Sequence, residues 1–189
     1  MNYSSGVYEF IHFPGEKEDV FCFVSMGVNS IMKTIEYTQL ENIVVSKSHP
    51  LLNKSIFNLG FGNYTDNGNE IIDDVVSNNG DVFKVFNTVL KTIPVFFNYH
   101  ENCAIMVRGS DSKSSFANKC KITCKKRCIN ECKNVNRRIN IYKNYINKNF
   151  ELLCITYKIY GGVSTPSRIT IFDRYELKNN YDTVFLIKK

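Results

Sequence analysis

The sequence predicts an α+β fold, with a mostly antiparallel sheet packed by one helix at about 79–99 and a second, long or broken helical region at about 113–149. Three observations predict it. Short runs of aromatic and β-branched residues, bounded by turn residues, recur before residue 63 and again after residue 151. A stripe of apolar residues at helical spacing follows a capping segment at 77–81. A second stripe at the same spacing runs from Phe116 to Phe150. With 189 residues, 43% hydrophobic and 22% charged, the chain reads as a single globular domain, and wholesale disorder is excluded.

Taken in order, Tyr8–Phe13 and Val20–Ser25 are strands separated by a turn at Pro14, Gly15, Glu16 and Lys17. Ile31–Gln39 alternates weakly and is a third strand. Within Leu51–Gly62, Ile56, Phe57, Leu59 and Phe61 mark a fourth, closed by glycines. Residues 63–70 form a polar loop. Ser77, Asn78, Asn79, Gly80 and Asp81 then supply cap residues for a helix whose buried face is Val82, Phe86, Val89, Ile93 and Phe96 or Phe97. Pro94 lies inside that helix and is expected to kink or shorten it near its end. Asn102–Arg108 is nearly continuous in apolar residues, as a buried central strand would be. Leu152–Tyr160 is expected as a strand ended by Gly161 and Gly162, and Ile169–Phe172 and Thr183–Ile187 as the last two.

The net charge of +6 hides a division. Residues 1–110 hold seven Lys or Arg against twelve Asp or Glu, a net of −5, and residues 111–189 hold seventeen against six, a net of +11. Residues 111–148 alone carry eleven basic residues against Asp111 and Glu131. On a helix, Lys121, Lys125, Lys126, Arg127, Lys133 and Lys143 would form most of a basic face suited to the phosphates of nucleic acid. The competing account is an ordinary solvated face. No apolar run approaches the roughly 20 residues that span a bilayer, and the chain opens without a basic segment followed by an apolar one. A cytoplasmic setting, without membrane contact, is therefore expected.

Seven cysteines, an odd number, argue against a disulfide scaffold in that setting. Cys120, Cys124, Cys128 and Cys132 recur every fourth residue in line with Phe116, Val135, Ile139 and Ile146. That continuity favours small apolar residues on one buried helical face, or a homodimer interface along 116–146. Thiolates also bind zinc or copper. In one helix, however, a rise of 1.5 Å per residue would separate Cys120 from Cys132 by roughly 18 Å, too far for one tetrahedral ion. No metal or other cofactor is therefore favoured.

Arg108, Gly109 and Ser110 lie at an expected strand-to-helix junction, where backbone N–H groups can receive an anion. Arg137, Arg138 and Tyr142 are candidates to join them. The alternative is a capped turn. The three histidines, His12, His49 and His100, fall in no metal or nucleophile spacing, and no phosphate loop, dinucleotide fingerprint or nucleophile elbow is present. Asp66, Asp73 and Asp74 place carboxylates near a loop, where adjacent acids more often face a helix start.

Several stretches together resemble a family of small uncharacterised bacterial proteins, a domain of unknown function frequent in Bacteroidota. They are Asn58–Gly62, Asp73–Asp81, the strand ending in Arg108, Gly109 and Ser110, the segment Arg137–Tyr142, and Asn180–Lys189. In that family the Gly-Ser turn leads almost directly into an Arg-x-Arg-x-Tyr helix. Here about two dozen residues intervene, so residues 112–136 look like a helical insertion holding all four regularly spaced cysteines. The resemblance implies one compact α+β domain in a bacterial cytoplasm and aligns the Gly-Ser turn with Arg137. It implies no activity.

Together these readings describe a binding protein whose basic C-terminal half contacts nucleic acid or an acidic protein. The alternative is a phosphate-directed enzyme, a toxin-like ribonuclease or nucleotide-processing protein, using the Gly-Ser turn and nearby arginines. A small partner gene alongside would suggest a toxin–antitoxin or defence context.

Overall fold

The computed structural model describes residues 6–41, 43, 49–64, 79–112, 115–124, 126, 128–129, 131–164, 169–172 and 174–189. The protein is α+β, and the described residues form eight strands, antiparallel wherever their register is described, and four α-helices. The chain divides into two compact units, each built from two segments. One comprises Met1–Gln39 and Phe57–Cys103, the other Leu40–Ile56 and Ala104–Lys189.

In the first unit β1 (Ile11–Phe13), β2 (Glu18–Ser25), β3 (Ile31–Leu40) and β4 (Ser55–Asn63) lie side by side in chain order. The turn at Pro14 and Gly15 sets β1 on β2, with Phe13 opposite Val20. Side chains alternate faces along a strand, and β2 buries Asp19, Phe21, Phe23 and Ser25 in turn. Helix α1 (Val82–Tyr99) covers that face. Its buried side is Val85, Thr88, Val89, Thr92, Ile93, Phe96 and Phe97, and Val82 is exposed, so the apolar stripe begins one turn later than the spacing suggests. The helix runs on through Pro94 to Tyr99. Two threonines reach the buried face because their hydroxyls bond back to the helix. Thr88 donates to the Lys84 carbonyl at 2.8 Å and Thr92 to that of Val89 at 2.7 Å.

Phe96 is the centre of this core. Its ring lies 4.2 Å from Tyr37, 5.1 Å from Phe57 and 4.6 Å from His100, measured between centroids. Tyr37 keeps its hydroxyl satisfied at 2.8 Å from the Thr92 hydroxyl.

In the second unit β5 (Cys103–Arg108), β8 (Thr183–Lys188), β6 (Tyr157–Ser164) and β7 (Ile169–Ile171) are neighbours in that order. Leu51, Ile56, Ala104, Met106, Tyr160, Phe185 and Ile187 form its core cluster. Between β5 and β6 come a 3-10 turn (Ser110–Ser112), α2 (Phe116–Thr123), α3 (Arg137–Lys148) and α4 (Phe150–Thr156). The stretch Leu152–Thr156, expected as strand, is helical. A short apolar run fits either state, and α4 starts from Asn149, whose N–H caps α3 by bonding the Tyr145 and Ile146 carbonyls. The strand starts at Tyr157 instead and continues through Gly161 and Gly162. Gly161 is required there because a Cβ would fall 2.3 Å from the Tyr181 ring.

Among the described residues, no helix is long and apolar enough to cross a membrane.

Phe96→Ala is expected to remove about 3–5 kcal/mol of stability, the usual cost of truncating a buried phenylalanine. Urea unfolding of the two proteins checks it. Gly161→Ala should cost about 1–3 kcal/mol by overpacking against Tyr181, read the same way.

Candidate functional site

The basic, cysteine-bearing segment does not form one helix. α2 ends at Thr123, Cys124 is extended (φ −69°, ψ 110°), and regular helix resumes only at Arg137. The continuous stripe along 116–146 is therefore broken in its middle, and its residues do not share the face of one helix. The physical reason lies at Asp111, which accepts the Asn136 N–H at 3.3 Å and the Arg138 N–H at 3.0 Å and so draws the two ends of the segment together. Instead the chain folds back on itself. Cys124 and Cys128 stand 3.9 Å apart, sulfur to sulfur. The Asn134 side-chain amide donates to Cys120 at 3.2 Å and to Cys124 at 3.6 Å, and the Lys133 backbone N–H donates to Cys128 at 3.4 Å. All four cysteines, Cys132 included, are half-buried free thiols. Among the described residues, no group of three or more His, Cys, Asp or Glu could hold a metal ion.

Lys119, Lys121, Lys126, Lys133 and Arg137 are exposed around this turn. Lys125 and Arg127 lie outside the described residues. Lys143 is not on the basic surface. It is buried and donates to the Asn180 side-chain oxygen at 3.3 Å. Burial lowers its pKa, and the Asp182 carboxylate partly offsets that.

The Gly-Ser turn does meet the start of α3. Gly109 is buried, and a Cβ on it would strike Asp111 Oδ1 at 2.4 Å and come within 3.2 Å of the Ile139 nitrogen. Asp111 Oδ2 accepts the Arg138 backbone N–H at 3.0 Å, and the Arg138 guanidinium donates to the Ser110 hydroxyl. Arg137 turns to the Asn134 side chain at 3.4 Å. Tyr142 is half-buried on the same helix. The seat an anion would take at the start of α3 is thus filled by the chain's own carboxylate. Arg108 Nε, Asp111 Oδ1 and Ser112 Oγ are buried there without hydrogen-bond partners among the described residues. A cavity of about 260 Å³ opens beside the turn between Ser112, Val135, Asn136, Val163, Asn180 and Asp182. Asp182 is itself held by the Ser164 backbone N–H and hydroxyl and by the Thr183 hydroxyl.

Two polar clusters in the first unit were missed from sequence. They sit at the two ends of the buried face of β2. At one end Asp19 is fully buried. Its Oδ1 accepts the Gly15 N–H at 2.8 Å and its Oδ2 takes His12 Nε2 at 3.0 Å, while His100 Nε2 lies 3.2 Å from Oδ1 without making a hydrogen bond among the described residues. At the other end Asp81 accepts the Tyr8 hydroxyl at 2.7 Å and the Ser25 hydroxyl at 2.6 Å. Asp81 is the residue before α1, yet its side chain makes no cap hydrogen bond. Asn79 likewise turns away from the helix and donates to the Ser25 hydroxyl at 3.0 Å and the Asn29 carbonyl at 2.8 Å. Burial would raise the Asp81 pKa, but the hydrogen bonds from Ser25 and Tyr8, with the charge of Lys33, hold it below the ordinary carboxylate value. Burial, then Asp81, pushes the Tyr8 hydroxyl up. The signal for Asp19 was present, since alternation puts it on one face with Phe21 and Phe23. The other carboxylates expected near a loop, Asp66, Asp73 and Asp74, lie outside the described residues, as do Ser77 and Asn78.

One family model, described as a family of unknown function, DUF6934, matches residues 5–131. The chain belongs to DUF6934. The matched range takes in both polar clusters of the first unit, the Gly-Ser turn, α2 and three of the four regularly spaced cysteines. It leaves out Cys132, α3 and the C-terminal strands, so the resemblance at 137–142 and 180–189 falls outside it. No curated protein and no solved structure matches.

A carboxylate depressed by folding adds stability above its unfolded pKa and loses it as pH falls through the folded one. Asp81→Asn should therefore be less stable than the parent protein at neutral pH, and the gap should close as pH drops through and below about 4. Thermal melts of both proteins across pH 3–7 measure this, and a gap independent of pH would show that the Asp81 charge adds nothing.

Proposed function

We propose that the protein is a binding protein that contacts nucleic acid through the basic surface of α2 and the turn before α3. The observation that supports this most is the exposure of Lys119, Lys121, Lys126, Lys133 and Arg137 around a single short turn whose one acidic neighbour in sequence is Glu131. Asp111, the other acid of the segment, is buried and engaged by Arg138. Ile122 and Ile129 stand between these cations, 85% and 95% exposed. A basic surface with apolar side chains suits phosphates together with unstacked bases. A bacterial cytoplasm is the setting that goes with this reading. The family resemblance and the free thiols support it, and genomic neighbours would test a toxin–antitoxin or defence context.

The second reading is the phosphate-directed enzyme. It draws on the cavity beside the Gly-Ser turn, the buried Lys143 and the unpartnered Arg108 Nε and Ser112 Oγ. Asp111 and Asp182 weigh against it, since both would repel an anion there.

Fluorescence anisotropy with a labelled mixed-sequence single-stranded RNA, starting at about 50 mM salt where phosphate contacts are strongest, tests the binding reading. Affinity should fall steeply with salt. The triple variant Lys119→Glu, Lys121→Glu, Lys133→Glu should bind more weakly across all sequences and flatten the slope of log K against log salt by about 2. No binding at low salt, or binding only to an acidic protein, would overturn the nucleic-acid reading.

A further inference from the structure

The four thiols of the turn are not equivalent, and the difference lies in where the donors converge. Cys124 receives the Lys126 backbone N–H, then the Cys128 and Cys120 thiols, and the Asn134 amide at 3.6 Å. These contacts, the Lys126 N–H foremost, hold its pKa below that of an ordinary thiol despite the opposing effect of burial. Cys120 goes the other way. The Asn134 amide would lower it, but burial and the neighbouring Cys132 and Cys124 sulfurs outweigh that and raise it. Two observations bear on chemistry beyond acidity. Cys124 is half-exposed in a turn of exposed lysines, and Cys128 is already in sulfur contact with it at 3.9 Å. An accessible thiolate with a second thiol beside it is the arrangement that peroxides oxidise to a disulfide.

We propose that Cys124 and Cys128 are an oxidisable pair, with Cys124 the sulfur that attacks a hydroperoxide and Cys128 the thiol that resolves it. In the first step the Cys124 thiolate attacks the peroxide. A sulfur–oxygen bond forms, the oxygen–oxygen bond breaks, hydroxide (or alkoxide) leaves, and the sulfur is oxidised by two electrons to a sulfenic acid. In the second step Cys128 attacks that sulfur. The sulfur–sulfur bond forms, the sulfur–oxygen bond breaks, and the hydroxyl leaves as water with the Cys128 proton. The sulfurs must close from 3.9 Å to about 2.05 Å. Cys124 is extended at the end of α2, and Cys128 lies outside any helix or strand, so neither belongs to a helical backbone that would resist the approach. The resulting ring encloses Lys125, Lys126 and Arg127. The proposal stands whether or not this segment binds nucleic acid.

The test uses the full chain, reduced, desalted and exposed to hydrogen peroxide at neutral pH, with remaining thiols alkylated and mapped by mass spectrometry. The expected result is loss of two of the seven alkylatable thiols and a peptide pair joined through Cys124 and Cys128. In Cys128→Ser, dimedone should label Cys124, and Cys124→Ser should abolish the link. Circular dichroism of each variant confirms that it is folded. A first bond between any other two cysteines would overturn the proposal. So would oxidation of Cys22 or Cys154 ahead of Cys124, or a reduced protein that carries one equivalent of zinc through gel filtration with all four thiols of the turn unreactive.

Discussion

The Asp111 carboxylate fixes where α3 begins, and the loop before it is arranged by that choice. Asn136, the residue before α3, is in the left-handed region at φ 60° and provides no side-chain cap. The helix therefore starts without a local signal. Its orphan N–H at Arg138 is instead satisfied from 27 residues earlier by Asp111, whose carbonyl also takes the Asn136 N–H at 3.3 Å. With both ends of 112–136 tied to one residue, the segment must return on itself, and a straight helix through it is impossible. The grouped thiols and the outward lysines are consequences of that closure.

Much of the fold was legible. The turn at Pro14, Gly15, Glu16 and Lys17 and the strands on either side of it announce themselves through local chemistry, and α1 through the spacing of its apolar residues. The errors have two physical causes. Spacing along 116–150 carried helical periodicity, but periodicity reports only which residues could share a face. Whether a helix forms also depends on where its ends are held, and Asp111 draws both ends of 112–136 together, so the chain leaves the helix after Thr123. Leu152–Thr156 failed for another reason, since a short apolar run fits either strand or helix. The candidate site was legible in part. Gly109 and Ser110 do meet the start of α3 at Ile139 and Arg138, while Lys143 turns inward to Asn180, a partner that only the fold supplies.

The unread part of the first unit has a different cause. Asp19, Ser25, Asp81 and Asn79 are satisfied by groups far away in sequence, and Asn79 and Asp81 imitate helix caps. Cap residues are recognised because short polar side chains bond nearby backbone. Here Asp81 serves Tyr8, 73 residues distant, and Ser25, 56 residues distant. The same composition thus encodes a long-range tie in place of a local one, and spacing alone does not separate the two.

The strand order has an effect on how the molecule behaves among its own copies. The outermost strand at one end of each four-strand run, β1 in the first unit and β7 in the second, is only three residues long. A bare strand edge offers backbone donors and acceptors to any other chain, and natural sheets limit this with very short edges. Ile11 and Phe13 of β1 are exposed, so that edge would be adhesive if it were longer. Three residues provide too few backbone groups to template a neighbouring strand, and brevity at these edges guards a protein rich in β-branched and aromatic residues against aggregation.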